Sequence, residues 1–100
     1  MVVRSEYEVS LVINGRHFRR IVIDPHYKER HSELSDELIV KLVKKISGSF
    51  FRVEKQDKYF EYFKVEPVFL DFSPYRLIFL LSKRDDFVGI VNAFRVRRKK

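Results

Sequence analysis

Two of the chain's three histidines and one arginine fall in a single stretch, Pro25-His26-Tyr27-Lys28-Glu29-Arg30-His31. Histidine titrates near neutral pH and can give or take a proton. Arginine presents a planar fork of donors that suits phosphate oxygens. These types fit cleavage of RNA by its own 2′-hydroxyl. That reaction needs a base for the hydroxyl, an acid for the leaving 5′ oxygen, and cations for the charge on the phosphorane. Arg30 and His31 stand side by side for these roles, and His26 is a further nucleic-acid contact. The plainer reading of the stretch is a solvated polar loop, where such residues are common.

A metal site is not expected. The five-residue step from His26 to His31 puts the rings on different sides of a helix. The His-Glu-x-x-His spacing is absent, and only two or three ligand types lie close together. The chain has no cysteine, which removes thiolate ligands, disulfides and a cysteine nucleophile. Its three glycines are widely separated and make no phosphate loop. No serine sits in a nucleophile elbow. No cofactor is therefore expected, and His17 reads as a strand-surface residue.

A second cluster comprises Asn92, Arg95, Arg97, Arg98, Lys99 and Lys100. Strand alternation puts Arg95 and Arg97 on one face with Val91 and Ala93. Asn92, Phe94 and Val96 take the other. Arg95 is a candidate phosphate clamp or, alternatively, a rim residue of the sheet. Tyr75-Arg76 opens the neighbouring strand and can bring either side chain to the same end. Tyr59 and Tyr62 can stack bases, as aromatics on sheets do in RNA binders, or simply pack.

The elements that position these groups follow from periodicity. Tyr7, Val9, Leu11 and Ile13 alternate along a strand. Asn14-Gly15 is a strong two-residue hairpin signal, because both residues tolerate positive φ. Arg16–Ile23 returns as the second strand with Leu11 opposite Phe18, and Asp24-Pro25 stops it. Ser35 is a helix N-cap, Asp36 and Glu37 suit the positive helix end, and Gly48 is the stop. Between them Leu34, Leu38, Ile39, Leu42, Val43 and Ile46 form an apolar stripe. Leu77, Phe79, Ile90 and Val91 are its expected sheet partners.

Three further strands are expected, at Tyr59–Phe63 with Val68–Phe72 continuing its extended path, at Tyr75–Ser82 and at Phe87–Val96, while Phe50–Lys58 is ambiguous and has room for a short strand at Phe51–Glu54. Turns are expected at Gln56-Asp57 and Ser73-Pro74, and Pro67 implies an edge or a bulge. The reading is a single α+β domain over residues 1–100. Its antiparallel sheet carries one main amphipathic helix, in the order β-β-α-β-β-β.

The composition is 45% hydrophobic, enough to offset the ordering entropy of one core and to exclude a disordered chain. The longest apolar run, Leu77–Leu81, is too short to span a bilayer, and no membrane partner is expected. Met1–Glu8 has no apolar run of the signal-peptide kind. With no cysteines as well, a cytoplasmic protein is expected. The net charge of +7 favours a polyanionic partner, either nucleic acid or an acidic protein.

The segments Asp24–Ser32, Tyr75–Leu81 and Gly89–Arg95 resemble those of small RNases of the barnase–EndoU–colicin–RelE group. RelE/ParE-like and polymorphic-toxin domains are the nearest in pattern. There a helix precedes an antiparallel sheet whose central strand reads Tyr-Arg followed by an apolar run. The resemblance covers residues 24–97 and implies metal-independent endoribonuclease activity. It also implies RNA or ribosome-associated substrates and an acidic antitoxin partner. It places Arg30 and His31 on the helix side, and Tyr75, Arg76 and Arg95 on the sheet side. ParE-like members keep the fold without the activity. A non-catalytic nucleic-acid- or protein-binding module is thus the alternative.

Overall fold

Asn14 and Gly15 take φ values of 54° and 74° and close the hairpin between β1 (Ser5–Ile13) and β2 (Arg16–Ile23). Leu11 pairs with Phe18, the register a two-residue turn dictates. These strands belong to a computed structural model that describes residues 5–23 and 34–96. His26, Arg30, His31, Arg97, Arg98, Lys99 and Lys100 lie outside the described residues, as does the whole of the first segment that carries the resemblance.

Helix α1 (Asp36–Lys45) begins where Ser35 Oγ accepts the Leu38 amide at 3.2 Å. Asp36 and Glu37 occupy its first turn, Lys44 and Lys45 its last. Gly48, at φ 90°, turns the chain after it. Ile39, Leu42 and Val43 are fully buried, Leu34 and Ile46 nearly so, and Leu38 half-buried. The helix lies on one face of a six-stranded sheet, called here the inner face.

The remaining strands are β3 (Lys55–Gln56), β4 (Phe60–Leu70), β5 (Ser73–Ser82) and β6 (Phe87–Arg95). The sheet order is β1-β2-β6-β5-β4-β3. The fold is thus α+β, but the sheet is mixed, not wholly antiparallel: β2 runs parallel to β6. The cause is the apolar free edge of the first hairpin. Ile21, Val22 and Ile23 are all buried, which suits an interior strand rather than a solvated edge. The long connection through α1 supplies the crossover a parallel pair needs. The sixth strand is the short β3, so the order among the described residues is β-β-α-β-β-β-β.

Three local expectations shift. Residues 51–53 form no strand, because the Asn14 side chain takes up the Phe51 backbone. Asn14 Oδ1 accepts the Phe51 amide at 2.6 Å, and Asn14 Nδ2 donates to the Phe51 carbonyl at 3.1 Å. The Phe51 ring then meets Phe79 edge-on at 6.1 Å. The β4–β5 turn falls at Asp71-Phe72 rather than Ser73-Pro74, with φ of 51° and 66°. Val91 is 45% exposed and faces away from the core.

The core lies between the inner face and α1. Phe18, Phe63 and Phe79 are its largest fully buried side chains. Phe63 and Phe79 are cross-strand partners with rings stacked at 5.0 Å. Each such burial is worth about 1.5–3 kcal/mol relative to exposure. Among the described residues no helix is long and apolar enough to cross a membrane.

Candidate functional site

The register fixes what stands on the outer face, opposite the helix. Reading across the strands, one row is Phe60, Ser82, Phe87, Arg20 and Glu8. The next is Tyr62, Leu80, Gly89, Val22 and Glu6. Beyond them come Lys64, Ile78 and Asn92, then Arg76 and Phe94 with Glu66 bonded to Arg76, then Phe69 with Pro74. No described helix covers this face.

Rings and cations meet along it. Phe60 and Phe87 stack at 6.2 Å, and Phe60 meets Tyr62 edge-on at 6.4 Å. The Arg20 guanidinium lies 5.7 Å from the Phe87 centroid, Lys55 Nζ 5.2 Å from Tyr62, and Arg76 5.2 Å from Phe94. A cation within about 6 Å of a ring face is attracted to its negative quadrupole. The Tyr62 hydroxyl bonds Asp57 Oδ2 at 3.2 Å. Desolvation, and then the Asp57 charge, hold that phenol above its usual range. It stays neutral at physiological pH and presents an uncharged face.

Three strand irregularities load this face. In the first hairpin Val9 and Ser10 oppose the single residue Arg19, a bulge between Glu8 and Leu11. It leaves Phe18 and Ile21 inward, with both Arg19 and Arg20 between them facing out. In β4 the register shifts between Val65 and Val68, which returns Val68 to the core and turns Phe69 outward. In β6 the shift beside Val91 makes that residue exposed while Ile90 and Ala93 are buried. Alternation alone would have put Phe69 inside and Val91 beside Ala93.

The first bulge opens onto a depression of about 480 Å³ lined by Glu8, Val9, Ser10, His17, Arg19, Arg20 and Asp86. Ser10 Oγ and His17 Nε2 are 2.9 Å apart, so each orients the other. Arg20 pairs with Glu6 at 3.1 Å and Asp86 at 3.4 Å. Arg19 is exposed and has no carboxylate partner among the described residues. Through Arg20 over Phe87 the depression joins the aromatic row. A hydroxyl, an imidazole and an unpaired guanidinium together make a donor set for a phosphodiester.

Of the sequence candidates, Tyr75 and Arg95 are cross-strand partners, at one end of β5 and β6. Tyr75 is buried in the core, however, and Arg76 is on the opposite face. Arg76 grips Glu66 with two bonds, of 2.7 Å and 3.0 Å. That bond to Arg76 is the first cause holding the Glu66 carboxyl below the usual range. Arg95 is exposed and donates to Ser73 Oγ at 3.0 Å. The described part of the expected catalytic set therefore does not converge on one point. Tyr62 faces outward as a stacking residue would, while Tyr59 is exposed at the start of the β4 hairpin. His17 is a strand-surface residue, as read, but its pairing with Ser10 was not anticipated. The visible signal was the run His17-Phe18-Arg19-Arg20, whose two arginines share a face only because of the bulge. Among the described residues no cluster of ligand types is placed to hold a metal ion.

No protein-family model, no curated protein and no solved structure matches the chain.

Proposed function

We propose that this chain binds single-stranded RNA across its outer sheet face. The observation that carries the reading is the adjoining rings of Phe87, Phe60 and Tyr62, with cations over Phe87 and Tyr62. Unpaired bases stack on such rings regardless of sequence, and neighbouring cations neutralise the backbone. The net charge of +7 favours the encounter. The Ser10–His17–Arg19 depression provides a phosphate contact beside the row.

The test is fluorescence anisotropy with a labelled 12-nucleotide RNA. Phe87→Ala and Tyr62→Ala should each weaken binding by about 5- to 150-fold, the equivalent of roughly 1–3 kcal/mol per stacked base. If about three phosphates are neutralised, raising salt from 50 to 200 mM should weaken binding roughly twenty-fold. Absence of binding at low salt sinks the proposal.

A second reading is metal-independent cleavage, the activity implied by the toxin-RNase resemblance. The hydrogen-bonded Ser10–His17 pair beside Arg19 favours it. His17 would serve as the proton-transfer group, with the 2′-hydroxyl as nucleophile, alongside or in place of Arg30 and His31. The same RNA, incubated with the protein in EDTA, should then yield 2′,3′-cyclic phosphate ends. A 2′-O-methyl RNA should survive. Intact unmodified RNA after incubation removes this reading and leaves binding alone. An acidic antitoxin protein would compete for the same face.

A further inference from the structure

The β4–β5 hairpin ends in an anomaly. Phe72 is fully exposed, at 104% of its reference area, and has φ 66°. A two-residue turn with positive φ at both central positions favours glycine, asparagine and aspartate. Asp71 obeys this preference and Phe72 does not. The ring gains no burial in return. A large apolar side chain held in an unfavourable backbone region and in water points to a partner outside the chain.

The surroundings say which partner. Phe69, turned outward by the β4 bulge, is 51% exposed on the same hairpin and pairs with Pro74. Val96 donates its amide to the Pro74 carbonyl at 2.9 Å, and Arg95 reaches Ser73 Oγ at 3.0 Å. The end of β6 is thereby fixed beside the hairpin tip. In sequence, Arg97-Arg98-Lys99-Lys100 follow directly. The acidic groups near the tip are Asp71, in the turn itself, and Glu66, which Arg76 already neutralises. A flat apolar ring held out at the end of a face that carries further outward rings matches an unpaired base. The aromatic series continues along the outer face from Phe87 and Phe60 through Tyr62 and Phe94 to Phe69.

We infer that Phe72, at the tip of the β4–β5 hairpin, is a second base-stacking point for the same single-stranded RNA, so that the strand runs along the hairpin. This rests on the proposed RNA-binding face. From Phe60 to Leu70 is ten residue steps, or about 33 Å at ~3.3 Å per step. At the ~3.4 Å spacing of stacked nucleotides, about ten nucleotides cover that length, while four cover about 14 Å.

The experiment compares RNAs of 4 and 12 nucleotides on wild type, Phe72→Asn and Phe72→Tyr. Asparagine suits positive φ, so the first variant removes the ring and preserves the turn. Wild type and Phe72→Tyr should bind the 12-mer alike. Phe72→Asn should bind it about tenfold more weakly, the scale of one lost stack. All three should bind the 4-mer equally, at the Phe60–Phe87 end. If the 12-mer binds wild type and Phe72→Asn equally, the second stacking point is wrong and the RNA-binding face stands. Wild type binding neither RNA overturns both.

Discussion

Replacing Leu42 by alanine tests the packing on which the whole arrangement depends. Leu42 is fully buried, on the stripe of α1 that also buries Ile39 and Val43. The change deletes three carbon atoms, about 2.4 kcal/mol at ~0.8 kcal/mol per buried methylene. A residual cavity of about 50 Å³ adds roughly 1.2 kcal/mol at ~24 cal/mol per Å³. The expected loss is therefore about 3–4 kcal/mol. With a urea m-value of about 1.5 kcal/mol per molar, the midpoint should fall by roughly 2–2.5 M without a change in slope. The assay is urea unfolding followed by far-UV circular dichroism and tyrosine fluorescence. Lys41→Ala is the control on the opposite side of the helix. Lys41 is 57% exposed and reaches Glu37 at 3.8 Å. Its loss should cost no more than about 0.5 kcal/mol. A Leu42→Ala midpoint within about 0.3 M of wild type would refute the packing of α1 on this sheet.

Ser35→Ala removes the oxygen that caps α1 and should cost about 1 kcal/mol, lowering Tm by roughly 4–8 °C. Gly89→Ala puts a Cβ only 2.7 Å from Leu80 Cδ1. It should destabilise by about 1–3 kcal/mol, and Leu80→Ala in the same chain should recover part of the loss in a double-mutant cycle. Asp57 accepts the Tyr59 and Phe60 amides at 2.8 Å and 2.9 Å, bonds that hold its carboxyl below the usual range. A carboxyl depressed in the folded state stabilises above its unfolded pKa and loses that effect as pH falls through the folded one. Amide exchange at Phe60 should therefore accelerate as pH drops below the ordinary carboxylate range, beyond the acid dependence of Asp57→Asn. Equal profiles for the two proteins would remove the cap.

Local chemistry was the legible part of the fold. Asn14-Gly15 forces one turn type, Ser35 and Gly48 mark one helix, and the Leu11–Phe18 register follows from turn length. Partner choice between distant strands was not legible, because Ile21-Val22-Ile23 reads equally as a solvent-facing edge or an interior strand. Only burial of Val22, 8% exposed beside Gly89, distinguishes the two. The outer face was hidden for another reason. Each bulge inverts alternation for everything beyond it, and no residue type announces a bulge as Asn-Gly announces a turn. Glu66-Pro67 came nearest, since proline cannot donate in the ladder; it marked the irregularity though not its effect on Phe69. Tyr75 and Arg76 illustrate the same limit. They are adjacent in sequence and on opposite faces, so one cannot assist the other at a shared site.

The parallel pairing of β2 with β6 also governs the order in which the chain can fold. The β1–β2 hairpin and the antiparallel set β3-β4-β5 are each local, with short loops to close. In the sheet they are joined through β6, whose Phe87–Ile90 segment pairs with Arg20–Ile23 on one side while its length pairs with β5 on the other. That contact spans about two-thirds of the sequence, so its loop-closure entropy must be met before the joint sheet gives any return. During synthesis the first hairpin must therefore wait, its apolar Ile21-Val22-Ile23 edge open, until residues 87–90 have emerged. Hydrogen-exchange pulse labelling during refolding should find β4–β5 amides protected before those linking β2 and β6. The waiting edge is where an early-arriving chaperone or a second nascent chain would pair.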